Sequence, residues 1–204
     1  MGDTIHSDYE TLLRAARAGD ERALGELLDL YRAYLSLLAR LQIGRRLQGR
    51  LDPSDLVQET FLAAGNSFDQ FRGLAEAELT AWLRQIMASK VADMVRRNTA
   101  GRRDVRLERQ LEEDLDRSSH ALGGLLAVRG SSPSQQAVRR ENAVLLANAL
   151  DVMPADYREV LILRHVEGLR FAEVAARMER TLDSVKGLWT RALVRLRRSM
   201  GEMP

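Results

Sequence analysis

The chain has 204 residues, a hydrophobic share of 45%, a charged share of 29% and a formal net charge of +2, the balance of a globular protein with room for one large domain or two small ones. It contains no cysteine and three histidines, far apart at His6, His120 and His165, so a disulfide framework, a thiol nucleophile and a thiolate metal site are excluded and no metal-ligand spacing exists. The N-terminus is polar, without an apolar signal core, and no run of about 18 apolar residues occurs, so no membrane insertion and a cytoplasmic location are expected.

Tyr9, Leu12, Leu13 and Ala16 share one face at helical spacing and predict a short helix over 8–18. Gly19-Asp20 ends it, and Asp20 can cap the next. That next helix is predicted to run unbroken from Glu21 to about Leu47. Its stripe is Leu24, Leu27, Leu28, Tyr31, Leu35, Leu38 and Leu41, widened by Leu30, Tyr34 and Leu37. An arc this broad packs against more than one neighbour. Gly49 breaks the pattern. Asp52-Pro53-Ser54-Asp55 opens another helix, with Asp52 as N-cap, Pro53 at the first helical position and Asp55 in the first turn. It continues to about Gly65. Asp55, Gln58 and Glu59 give it a polar, acidic edge, while Leu56, Phe61 and Leu62 look inward or toward a partner. Taken alone, an acidic edge is an ordinary solvated face.

Residues 66–75 form a loop that carries Asn66, Phe68, Phe71 and Arg72. A helix is predicted from about Glu76 to Asn98, with Leu79, Trp82, Leu83, Ile86, Val91, Met94 and Val95 at 3.6-residue spacing. Lys90, Arg96 and Arg97 crowd its far end. Aromatic faces beside cations are what single-stranded nucleic acid needs. Core aromatics and a cationic helix C-terminus explain the same residues. Residues 101–133 change character. A charged stretch, which suits a solvated helix, gives way to a Gly/Ser-rich segment that reads as a flexible tether. This linker separates an N-terminal domain, 1–100, from a C-terminal one, 134–204.

Past the tether, helices are predicted from Ser134 to about Leu150 and from Ala155 to Glu167, with Gly168 as the C′ residue. Phe171, Val174, Ala175 and Met178 give a short helix one apolar face. Glu179-Arg180-Thr181 is too short for anything but a turn, and Thr181 is a good N-cap. The helix that follows has an inner face of Val185, Trp189, Ala192, Leu193 and Leu196. Its outer face carries Lys186, Arg191, Arg195, Arg197 and Arg198. A basic second helix held across a short turn by a small-residue-lined first one is the helix-turn-helix design for the major groove; an ordinary helical hairpin with a solvated basic face carries the same residues. The expected fold is all-α: two small helical domains on a flexible tether, the second with a helix-turn-helix.

This order of parts resembles bacterial RNA polymerase sigma factors of the compact, extracytoplasmic-function type. The resemblance spans roughly Tyr9–Arg97 and Ser134–Arg198. It is carried by DPSDLVQETFLAA at 52–64, FDQFRG at 68–73 and AWLRQIMASKVADMVRR at 81–97, then MPADYREVLILRHVEGLRFAEVAARM at 153–178 and SVKGLWTRALVRLRR at 184–198. It implies two partners, core RNA polymerase and promoter DNA, admits an anti-sigma protein as a third, and implies no cofactor. By the resemblance, Asp55, Leu56, Gln58, Glu59, Phe61 and Leu62 would grip polymerase. Asn66, Phe68, Arg72, Lys90, Arg96 and Arg97 would hold the melted downstream strand. Thr181, Asp183, Ser184, Lys186, Gly187, Thr190, Arg191 and Arg195 would meet the upstream element as duplex. The chain departs from the family where Gly is usual at Glu179, a buried aliphatic at Arg180, a basic residue at Leu188 and Asn at Ser89.

Two other readings compete with a promoter-specificity subunit. One is a helix-turn-helix regulator that acts without polymerase, its N-terminal helices serving dimerisation or an effector. The acidic helix and the strand-holding loop argue against it, because such a regulator needs neither. The other is an enzyme built on Asp55 and Glu59, one helical turn apart. It lacks a partner His, Cys or phosphate-binding Gly loop, so no catalytic role is expected.

Overall fold

The computed structural model describes residues 2–46, 52–99, 105–125 and 134–201. These are helical apart from turns, with no strand among the described residues. They divide into two compact units, 1–117 and 118–204.

In the first unit, α1 (Gly2–Arg17) packs on α2 (Glu21–Asp29), and α4 (Pro53–Ser67) packs on both α3 (Arg32–Arg46) and α5 (Glu76–Thr99). The caps fall where the sequence puts them. Asp20 accepts from the Arg22 and Ala23 N–H groups at 2.9 and 3.0 Å. Asp52 accepts from Ser54 N–H at 2.9 Å, and that bond holds its carboxyl below the usual range.

The predicted single helix 21–47 is two helices. The chain turns at Leu30-Tyr31, where Tyr31 N–H reaches back only to Leu28 O, at 3.0 Å. No Gly or Pro stands at the turn, and the apolar face continues across it: Leu27, Leu28, Tyr31, Tyr34, Leu35 and Leu38 are all buried. The expected ends at Leu47 and Gly49 lie outside the described residues, as do 126–133 of the tether.

The expected linker holds a helix, α6 (Val105–Gly123), and the division between the units falls within it. Its first half is not merely solvated: Leu111 and Leu115 are buried, and Ser118, Ser119 and Leu122 of the segment expected to be flexible are buried helical residues too. The charges around them hid the i, i+4 pair.

The second unit contains α7 (Ser134–Asp151), α8 (Ala155–Leu161), α9 (Phe171–Arg177) and α10 (Leu182–Gly201), with α10 packed on α7, α8 and α9. The predicted helix 155–167 does not stay α-helical. Its last turn, Ile162–Val166, is a π turn closed by Glu167 N–H to Ile162 O at 3.0 Å. Gly168 follows at φ +75°, as a C′ residue should.

Candidate nucleic-acid and partner interfaces

The turn between α9 and α10 is a Schellman motif. Arg180 N–H bonds Ala175 O at 2.9 Å, and Glu179 N–H bonds Ala176 O at 3.3 Å. Glu179 sits at the C′ position with φ +53°, so the departure from glycine keeps the geometry and takes on left-handed strain. Arg180, where the family usually has a buried aliphatic, is not buried. It is exposed, and its guanidinium pairs with Asp156 of α8 at 2.6 Å.

Thr181 caps α10 through its Oγ1, which accepts from Ser184 N–H at 3.3 Å. Asp183, Ser184, Lys186, Thr190, Arg191 and Arg195 are exposed and Gly187 is half-buried. The expected duplex-facing residues therefore lie on the open side of α10. The inner face differs from the expected one: Leu188, where the family commonly has a basic residue, is buried with Val185, Ala192 and Leu196, while Trp189 and Leu193 are only half-buried. At a period of 3.6, positions 188 and 189 flank the centre of the apolar stripe, and the smaller side chain goes deeper. Trp189 lies across the helix boundary instead. Its Nε1–H donates to His165 Nε2 at 2.9 Å, and its ring meets Phe171 edge-on at 5.4 Å. That bond needs a neutral imidazole at Nε2. Burial, aided by the Arg164 charge, pushes His165 below its ordinary pKa, in the same sense.

On α4, Asp55 and Gln58 are exposed and Leu62 is 60% exposed. Phe61 is half-buried beneath the Arg32 guanidinium, 5.2 Å from its ring centre. Leu56 does not belong to this surface. It is 0% exposed, because it lies one turn from Thr60 on the side of α4 that meets its neighbours. It positions the edge and cannot touch a partner. Glu59 is paired within the chain, with Arg97 of α5 at 3.3 Å.

The expected single-strand surface is also rearranged. Asn66 and Arg72 are exposed, Arg97 is exposed, and Lys90 and Arg96 are half-buried; Arg96 pairs with Asp93. Phe68 is buried and offers no stacking face. It packs against Phe71 and Trp82 at 6.1 and 6.3 Å between ring centres, with Phe71 and Trp82 at 5.1 Å. The half-exposed aromatic is Trp82, which its place in the apolar stripe of α5 disguised as core. A groove of about 620 Å³ runs past it, between the Gln70–Gly73 segment and α5. Gly73 makes the close approach possible. A Cβ there would stand 2.6 Å from the Phe71 ring and 2.7 Å from Glu78 Cβ.

A helix-turn-helix with one basic face in one unit, and a capped acidic helix and an aromatic groove in the other, are the parts of a transcription initiation factor of the sigma-70 class, and two family models match them. Residues 30–101 match the family described as Sigma-70 region 2, and residues 143–196 match Sigma-70, region 4. The ECF RNA polymerase sigma factor SigD of Mycobacterium tuberculosis (strain ATCC 25618 / H37Rv) is 32% identical, over 92% of this chain and 82% of its own. RNA polymerase sigma factor CnrH of Cupriavidus metallidurans is 29% identical over 93% of each chain. The solved structure of CnrH in complex with the cytosolic domain of CnrY covers 97% of this chain and 99% of its own at 24% identity, with a TM-score of 0.35. The chain belongs to the extracytoplasmic-function RNA polymerase sigma factors. It binds core RNA polymerase and directs promoter recognition at the start of transcription. Among the described residues no helix is long and apolar enough to cross a membrane.

Proposed function

We propose a division of labour between the domains. Residues 1–100 bind core polymerase and hold the melted downstream strand. Residues 134–204 read the upstream element as duplex, and residues 101–133 link them. The observation that carries this is α10: every expected contact residue on it is exposed except half-buried Gly187, while Val185, Leu188, Ala192 and Leu196 fix the opposite face in the core. Asp183, Ser184, Lys186 and Gly187 enter the groove first, and Thr190, Arg191 and Arg195 follow along the helix, where backbone contacts dominate. Thr181 sets the first turn.

On the other unit, Asp55, Gln58 and Leu62 form the polymerase-binding edge, with Glu59 and Phe61 beside them. Arg72, Lys90, Arg96, Arg97 and Asn66 supply the polar groups for the opened strand, with Trp82 in place of Phe68 as the stacking face. The protein performs no chemistry of its own and works in the cytoplasm. An anti-sigma protein is a further partner that the family likeness admits.

Run-off transcription with core polymerase tests the scheme. The native chain should start transcription at its promoter, and Asp55→Lys should weaken core binding with the helical circular dichroism unchanged. Asp55 is exposed, so its replacement leaves the core intact. Native core affinity in Asp55→Lys removes the α4 edge from the scheme.

A further inference from the structure

The groove beside Trp82 has a third wall, made by α6. Asp116 of α6 accepts from Arg84 of α5 at 2.9 Å, and Arg84, 7% exposed, also donates to Tyr34 Oη at 3.0 Å. The pair pins α6 at the groove. Glu112 and Glu113 come to its edge on the same helix face.

The charges make this a poor site for a phosphate chain as it stands. Two guanidinium groups, Arg72 and Arg84, line the groove against four carboxylates, Glu78, Glu112, Glu113 and Asp116. The Arg84 group is committed to Asp116. With α6 drawn away, its three carboxylates leave and Arg84 is freed, so two cations face Glu78 alone. The Glu78 carboxylate is itself held by the Leu74 and Ala75 N–H groups at 2.7 and 2.9 Å. The sign of the groove therefore depends on where α6 lies.

We propose that α6 is an intramolecular electrostatic gate, holding the Trp82 groove closed to single-stranded DNA in the free chain. This rests on the reading of that groove as the strand-holding surface. Like charges at the groove mouth oppose every approaching phosphate, and their removal acts locally on one site.

The test is anisotropy of a dye-labelled single-stranded oligodeoxynucleotide with the full chain at fixed salt. Glu112→Gln/Glu113→Gln/Asp116→Asn should bind about tenfold more tightly than the native chain. Glu112→Gln/Glu113→Gln, which leaves the Arg84–Asp116 pair and the fold intact, should gain part of that. Asp8→Asn/Glu21→Gln/Glu26→Gln, the same charge change on α1 and α2, should gain about twofold at most. Arg72→Ala placed in the α6 triple variant should abolish the gain. If the α6 variants gain no more than the α1/α2 control while Arg72→Ala still lowers native binding, the gate is overturned and the groove stands. If Arg72→Ala and Trp82→Ala change nothing in either background, the groove reading fails, and the gate with it.

Discussion

Replacing Glu179 by glycine should stabilise the C-terminal unit. Glu179 holds the left-handed C′ position at φ +53°. A residue with a Cβ is disfavoured there by about 1–2 kcal/mol. Glycine removes that strain but gives the unfolded chain extra freedom worth roughly 0.4–1 kcal/mol. The Glu179 side chain is exposed, so no packing is lost, and the two Schellman bonds are backbone bonds that glycine keeps. The balance is a gain of about 0.5–1 kcal/mol, or roughly 2–8 °C in a module of this size. A Trp82→Phe background leaves Trp189 as the reporter, and thermal unfolding followed by its fluorescence gives the midpoint. Glu179→Ala is the comparator: it keeps the Cβ and should gain nothing. Promoter affinity should stay within about twofold, because the turn that sets α10 is retained. A Glu179→Gly midpoint at or below that of Glu179→Ala would refute left-handed strain at this position.

Other outcomes follow from the same geometry. Lys186→Ala should change the motif selected from a randomised promoter library, with discrimination of roughly 1–3 kcal/mol at the affected base, whereas Arg195→Ala should weaken all sequences alike and reduce the salt slope by about one; the opposite assignment would mean that α10 docks in another register. Gly73→Ala should destabilise the first unit, because its Cβ collides with the Phe71 ring and Glu78 Cβ; an unchanged unfolding midpoint would sink that argument. His165 is held below its ordinary pKa, so the unfolded chain takes up its proton first. The stability this gives is full above about pH 6.5 and is lost as the pH falls through the depressed folded value. The Trp189 unfolding midpoint should therefore drop on acidification, and His165→Gln should flatten the slope.

Local chemistry made most of the fold legible. Asp20, Asp52, Thr181 and Gly168 act on backbone groups within a few residues, and each does in the structure what its type and position foretell. What escaped is decided by distant packing. No breaker marks Leu30-Tyr31, and the apolar period runs through the turn without a change of face, so nothing local announces it. The π turn at Ile162–Val166 has no local signature either, and its effect appears only where His165 meets Trp189. On the candidate surfaces the polar positions were readable from charge and period. Leu56, Phe68, Trp82 and Leu188 were not, since an apolar residue near the edge of a stripe goes in or out according to a neighbour the period does not show.

The Glu59–Arg97 pair gives two surfaces a common component. A cationic partner that takes the Glu59 carboxylate leaves Arg97 to other anions, and a phosphate that takes Arg97 leaves Glu59 to cations. Linkage makes that exchange reciprocal, with the same factor in both directions. Both side chains are more than a third exposed, and an exposed pair is worth about 0–1 kcal/mol, so the factor is at most about fivefold. On the proposed roles of the two surfaces, that is a small bias by which polymerase binding and strand capture favour each other.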